Sequence, residues 1–144
     1  MRVALQEAAK AEILDEVPIG AVVVCNDRII ARAHNLKEKT KKSTAHAEIL
    51  AIEKANKKFG DWRLNECELY VTIEPCLMCV GAIIQARFKR VIYGAQDPKF
   101  GAIDSVIRCF DQPGWNHYPR IVSGVLKDEC SAIISQYFNK KRNK

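Results

Sequence analysis

No uninterrupted apolar run in this chain approaches the roughly 18 to 20 residues that a bilayer-spanning helix requires. The N-terminus also lacks the charged-then-apolar pattern of a secretion signal. A soluble protein of the cytoplasm, with no membrane association, is therefore expected. No internal repeat or linker interrupts the 144 residues, and 48% hydrophobic content suffices for one packed core but not comfortably for two. Residues 1–144 are expected to form a single domain. The conditions for a disulfide framework, an oxidising compartment and a short loop-rich chain, are missing despite six cysteines. Histidine is scarce, with three copies at His34, His46 and His117.

Positive charge is plentiful. Lys plus Arg number 23 against 17 for Asp plus Glu, a formal charge of +6 with a pI near 9.1. This fits either a polyanionic partner or a merely basic surface. The excess is clustered, at Lys37, Lys39, Lys41 and Lys42 and again in a tail of Lys140, Lys141, Arg142 and Lys144.

Hydrophobic periodicity places the elements. Arg2 to Leu14, with Val3, Ala4, Ala8, Ala11 and Ile13 among charged residues, reads as an amphipathic helix that Val17-Pro18 terminates. Ala21 to Cys25 and Ile29 to His34 read as a hairpin about an Asn26-Asp27 turn. Asn35 to Thr44 is polar and lysine-rich and is expected to be loop. Thr44 can then cap a helix reaching about Lys58. Cys67 to Ile73 alternates as a strand, and Pro75 suits the first position of a helix ending near Phe88. Arg90 to Ala95 is a strand, Gln96 to Gly101 a loop, and Ile121-Val122 a short strand before a closing helix from Val125 to Phe138. Such an order predicts an α/β protein, a mixed sheet covered by helices on both faces.

Chemistry concentrates in two stretches. Cys76 and Cys79 are three apart at a helix start, so both thiols lie on one face, and the helix terminus favours their thiolates. Cys25, Cys67, Cys109 and Cys130 read as small core residues or carry no spacing signal. His46 and Glu48 sit at the start of the preceding helix. If the two helix N-termini converge, His46, Cys76 and Cys79 give zinc three protein ligands and leave one position for water, the pattern of a catalytic site. Iron is the main competitor for such a cysteine-rich site. Zinc lowers the pKa of a bound water towards neutrality, and Glu48 is placed to carry the proton. Attack on an amidine carbon with loss of ammonia, deamination of a nucleobase, suits these parts. A non-catalytic module stabilised by zinc remains the alternative, with His34 or Cys67 as a possible fourth ligand.

His46-Ala47-Glu48 together with Pro75-Cys76-Leu77-Met78-Cys79 resembles the zinc-dependent nucleoside and nucleotide deaminase superfamily. Within it, the chain is most similar to the bacterial tRNA adenosine deaminase family. The shared stretches are Glu16 to Val24, Asn35, the two metal motifs, Tyr93-Gly94-Ala95, Asp97, Lys99 to Ala102, Pro113-Gly114 and Asn116-His117. The resemblance implies a three-layer αβα sandwich of the cytidine deaminase-like type with about five strands. It also implies one zinc per subunit, a homodimer, and conversion of adenosine to inosine at the wobble position of a tRNA anticodon loop. Glu48 would be catalytic and His46, Cys76 and Cys79 the metal ligands. Asn35 and the Ala47 backbone would hold the extruded adenine, Asp97 and Lys99 would meet the flanking nucleotides, and Asn116 and His117 would line the same neighbourhood. A deaminase of a free base, nucleoside or nucleotide (guanine, cytosine or deoxycytidylate) shares the motifs. Pro98, Phe100 and Asp104 depart from the expected pattern, and a carboxylate at position 104 is unfavourable beside a phosphate backbone.

Overall fold

In the computed structural model, which describes residues 1–143, the β-branched run after Gly20 forms strand β1 (Gly20–Cys25). It turns back through Asn26 and Asp27, both at positive φ (50° and 63°), the twist that a two-residue hairpin needs. Strand β2 (Arg28–His34) pairs with β1 antiparallel, with a bulge between Val23 and Val24. Strand β3 (Cys67–Ile73) pairs antiparallel on the other side of β1, and β4 (Arg90–Ala95) and β5 (Arg120–Ser123) add in parallel. The five-stranded order is β2-β1-β3-β4-β5.

Helices cover both faces, giving the expected three-layer αβα sandwich. On one face lie α1 (Arg2–Ile13) and α5 (Lys127–Arg142), which touch each other and the sheet. On the other lie α3 (Ala47–Phe59) and α4 (Leu77–Ala86). Under them Ala21, Val23, Cys67, Leu69, Val71 and Val91 interdigitate with Ala51, Ile52, Val80 and Ile83 in one cluster. Cys25 and Cys67, cross-strand partners, belong to this core, and Cys109 and Cys130 are buried too. Helix α1 lies close on β1 because its contacts are small: Ala4, Ala8 and Ala11 are fully buried, and a Cβ on Gly20 would stand 1.9 Å from the Ala4 carbonyl oxygen.

Several sequence expectations shift. Ile13 is exposed, and the buried stripe of α1 instead includes Glu7, which Lys10 Nζ (2.6 Å) and His34 Nδ1 (2.9 Å) satisfy. The expected loop after β2 contains a helical turn, α2 (Lys37–Thr40). Helix α3 is capped at His46, not Thr44, because Ala45 is held back by the Leu36 N–H to Ala45 carbonyl bond (3.1 Å). Pro75 precedes the α4 cap, which is Cys76. The closing helix starts later and runs further than expected, its basic last turn matching the helix dipole and tied to α1 by Lys140–Glu12 and Lys141–Asp15 pairs. Lys144 lies outside the described residues.

Candidate active site

Strands β3 and β4 run parallel, so the chain leaves both at the same end of the sheet, where open α/β sheets place ligands. From β3 it passes through Glu74 and Pro75 into α4, whose N-cap is Cys76; the N-cap of α3 is His46. N-cap side chains ordinarily bond the first-turn N–H groups. Here neither does. Both turn outward to a common point, and Cys79, one turn into α4, joins them.

His46 Nδ1 lies 3.6 Å from Cys76 Sγ and 3.5 Å from Cys79 Sγ, and the three donor atoms are all within 4.8 Å of one another. Donors about 2.3 Å (sulfur) and about 2.05 Å (nitrogen) from a tetrahedral zinc stand about 3.5 Å apart. The spacing therefore fits zinc. No fourth protein donor joins them among the described residues: His34 is bonded to Glu7, and Cys67 is in the core.

The charges ask for a cation as well. The hydrogen bond with Cys79 and that with His46 outweigh burial and bring the Cys76 thiol down to about 4. Facing that thiolate, and buried, Cys79 is pushed upwards. One thiolate forms easily and a second beside it only if positive charge stands between them. His46 is raised, first by its bond to Cys76. Glu48, in the first turn of α3 and 3% exposed, is pushed up chiefly by burial.

Two further buried carboxylates shape the rim. Glu74 is 1% exposed and accepts N–H bonds from Asp97 (3.2 Å), Ile103 (3.0 Å), Asp104 (2.8 Å) and Ser105 (3.0 Å), and the Ser105 hydroxyl. Glu16 is equally buried and accepts the N–H groups of Glu38 (2.9 Å) and Lys39 (2.7 Å), capping α2. Neither carries a local pattern that marks it as part of a site. For Glu74 the one signal is a charged residue standing between the end of a buried strand, at Ile73, and Pro75.

Of the expected site residues, His46, Cys76 and Cys79 meet, and Glu48, in the same first turn of α3, stands beside them with its carboxyl bonded to Cys79. Ala47 opens α3 and is buried. Asn35 is buried; its Nδ2 donates to the Val17 carbonyl (3.3 Å) and its Oδ1 accepts from Lys37 N–H (3.1 Å). Asp97 lies just beyond β4, its Oδ1 accepting the N–H groups of Lys99 (3.0 Å) and Phe100 (3.2 Å), and Lys99 is exposed. His117 is not brought to the cluster. Its Nε2 donates to the carbonyl of Phe88, 2.6 Å away, before the start of β4, and β4 itself spans about 17 Å. Asn116, beside it, is exposed. Asp104, for its part, turns inward and accepts the hydroxyl of fully buried Tyr93, so its charge is committed to the fold.

Comparison with known proteins follows the same lines. The MafB19-like deaminase family matches residues 1–142. A tRNA-specific adenosine deaminase from Bacillus subtilis (strain 168) is 49% identical over 144 residues, all of this chain and 89% of the relative. Among solved structures, one from a study of A-to-I editing by tRNA:A34 deaminases at the wobble position of transfer RNA superposes with a TM-score of 0.90 at 49% identity, over 92% of this chain and 96% of that one. A guanine deaminase from Bacillus subtilis superposes less well, with a TM-score of 0.64 at 33% identity over 99% of this chain and 91% of that one.

Proposed function

The chain belongs to the MafB19-like deaminase family, and on that premise we propose that it deaminates adenosine to inosine at the wobble position of a tRNA anticodon. The observation that carries the chemistry is the meeting of His46, Cys76 and Cys79 at zinc spacing with Glu48 buried beside them. Substrate choice rests on the relatives: 49% identity to tRNA adenosine deaminases against 33% to a guanine deaminase.

The three ligand residues would hold one zinc ion per subunit, and bound zinc supplies a Lewis acid that makes water nucleophilic near neutral pH. Glu48 moves the proton. Its carboxylate takes one proton from the attacking water and gives it to the purine ring nitrogen as the C–O bond forms, then carries the second, from the new hydroxyl, to the amino group, which leaves as ammonia as the C–N bond breaks, a general base turned general acid. Burial, by raising its affinity for a proton, suits it to both halves of that task. Asn35 orients the base. A side-chain amide has two donor hydrogens and two acceptor lone pairs, and the protein uses one of each, leaving a donor and an acceptor for the purine edge. The Ala47 N–H, in the open first turn of α3, can add a third contact. Lys99 and the exposed Lys37, Lys39, Lys41 and Lys42 supply positive charge for the phosphates. With its side chain spent inside its own loop, Asp97 shapes the contact with flanking nucleotides through the loop's backbone. Asn116 and His117 take no part in the pocket of their own protomer.

The working form is a homodimer in the cytoplasm. Leu77 on α4 and Val106, Ile107 and Trp115 in the loops after β4 are exposed apolar side chains of the kind that a partner subunit covers. No helix among the described residues is long and apolar enough to cross a membrane.

The decisive experiment incubates zinc-loaded protein with total tRNA and locates inosine by sequencing, with free guanine and cytidine assayed in parallel. Inosine at the wobble position is expected. Turnover of a free base with no inosine in tRNA would replace this reading with the free-base alternative.

A further inference from the structure

We propose that Glu74 is a positioning residue: it fixes the Asp97–Ser105 loop against the cysteine-bearing turn and so sets the surface that meets the nucleotides flanking the target. This rests on the RNA-deaminase reading above and assigns the loop's geometry to a residue outside the metal and proton-carrying set.

Glu74 stands between the last residue of β3 and Pro75, and its backbone N–H is bonded to the Ala95 carbonyl at the end of β4 (2.8 Å). Its side chain therefore starts from the seam between the two parallel strands, under the loop that follows β4. One oxygen, Oε1, accepts from Asp97 N–H and the Ser105 hydroxyl; the other, Oε2, accepts from the N–H groups of Ile103, Asp104 and Ser105. All five partners are donors. A carboxylate offers about four lone-pair positions, so these contacts occupy it fully and leave nothing aimed at the metal.

No secondary structure of its own holds the loop, although Ala102 and Ile103 are buried against the core. Between Asp97 and Ser105 there is neither strand nor helix. Beside the Tyr93–Asp104 bond and the bonds that the Gly101 and Ala102 carbonyls accept from Val106, Ile107 and Cys109, two backbone N–H groups of the loop tie it down, Gly101 N–H to the Asp97 carbonyl (2.9 Å) and Ala102 N–H to the Pro75 carbonyl (2.9 Å). The second of these lands on the residue before Cys76, so the loop is latched to the metal-bearing turn at two adjacent positions. Gly101 completes the fit: a Cβ there would lie 2.4 Å from the Glu74 carboxyl carbon. The loop's closed base thus contrasts with its tip, where Pro98, Lys99 and Phe100 are exposed. A fixed base carrying an exposed basic and aromatic tip is a platform for a nucleic-acid strand, and pre-ordering it removes an entropic cost from binding.

Glu74→Gln tests this directly, because the amide keeps the size but turns an N–H₂ group towards backbone donors. With a tRNA anticodon stem-loop as substrate, KM is expected to rise by about tenfold or more, while kcat changes less than about twofold and zinc content stays at one per subunit. Hydrogen exchange at the amides of Ile103, Asp104 and Ser105 should accelerate by about tenfold or more, with β3 and α4 as protected as in wild type. Unchanged exchange at those three amides, or a fall in kcat at constant KM, would overturn the proposal. Should Glu74→Gln fail to fold, Gly101→Ala, which crowds the same carboxylate from the loop side, carries the same expectations and the same outcomes. A wild type that makes no inosine in the stem-loop overturns the RNA reading and the flanking-nucleotide role with it. The exchange data then still decide whether Glu74 holds the loop.

Discussion

Glu48 and Glu74 stand at the starts of the two segments that carry the candidate metal ligands, and both are buried, at 3% and 1% exposure. Yet the protein treats them in opposite ways. Burial pushes both carboxyls up. At Glu74 the Ser105 hydroxyl and the N–H groups of Asp104, Ser105 and Asp97 outweigh that push and leave it below the ordinary range. At Glu48 no such set of donors converges, and burial prevails. The same side chain at the same depth becomes a fixed anion in one place and a group able to gain and lose a proton in the other. What separates them is the number of donors the surrounding backbone presents.

The largest effect should come from breaking the contrast on the chemical side. Glu48→Gln is expected to lower turnover of tRNA by about 10²- to 10⁴-fold, with zinc content and far-UV circular dichroism as in wild type, followed by inosine formation. A variant turning over at the wild-type rate would make Glu48 another structural carboxylate and erase the distinction.

Next comes the scaffold side. Glu74→Gln should cost about 1 to 3 kcal/mol of stability at neutral pH, because buried donors lose their acceptor, read from urea unfolding. The pH dependence has a definite sign. Glu74 is held below its ordinary 4.5 in the folded protein, so as pH falls the unfolded chain takes up the proton first. Its stabilisation is complete above that ordinary value and is lost as pH drops through the lower folded one. The difference in stability between wild type and Glu74→Gln should therefore be widest above about pH 5 and close progressively below it. A gap that stays constant into acid would show that the charge of Glu74 is not what the donors recognise.

The smallest effect sharpens the comparison by degree. Glu16 is as buried as Glu74 but accepts two backbone N–H groups instead of four and a hydroxyl. Glu16→Gln should cost about 0.5 to 1.5 kcal/mol by the same urea measurement. Equal losses at positions 16 and 74 would mean that burial, not donor count, sets the effect.

Reading the site from sequence works where chemistry is local. Cys76 and Cys79 declare themselves by a three-residue spacing at a helix start, and His46 and Glu48 by their place at another, so the candidate ligand set and the proposed proton carrier follow from residue type and position. Periodicity likewise yields the hairpin about Asn26-Asp27, the two-faced sheet and both site-bearing helices. It fails at α2, whose capping carboxylate, Glu16, is 22 residues from Glu38. The helical order of Lys37–Thr40 is thus invisible in its own composition.

Sequence by itself determined the chemistry of this protein: which side chains can hold zinc, which can move a proton, and which way the strands alternate, because each depends on neighbours within one turn or one pleat. Tertiary structure alone decided the rim. It gave Glu74 five partners, all of them 23 to 31 residues away, turned Asp104 from the expected RNA surface onto Tyr93, and carried His117 to the far end of β4. Those outcomes depend on where parallel strands β3 and β4 release their following loops, and on a buried carboxylate meeting every orphan N–H within reach. No local pattern of residues encodes either.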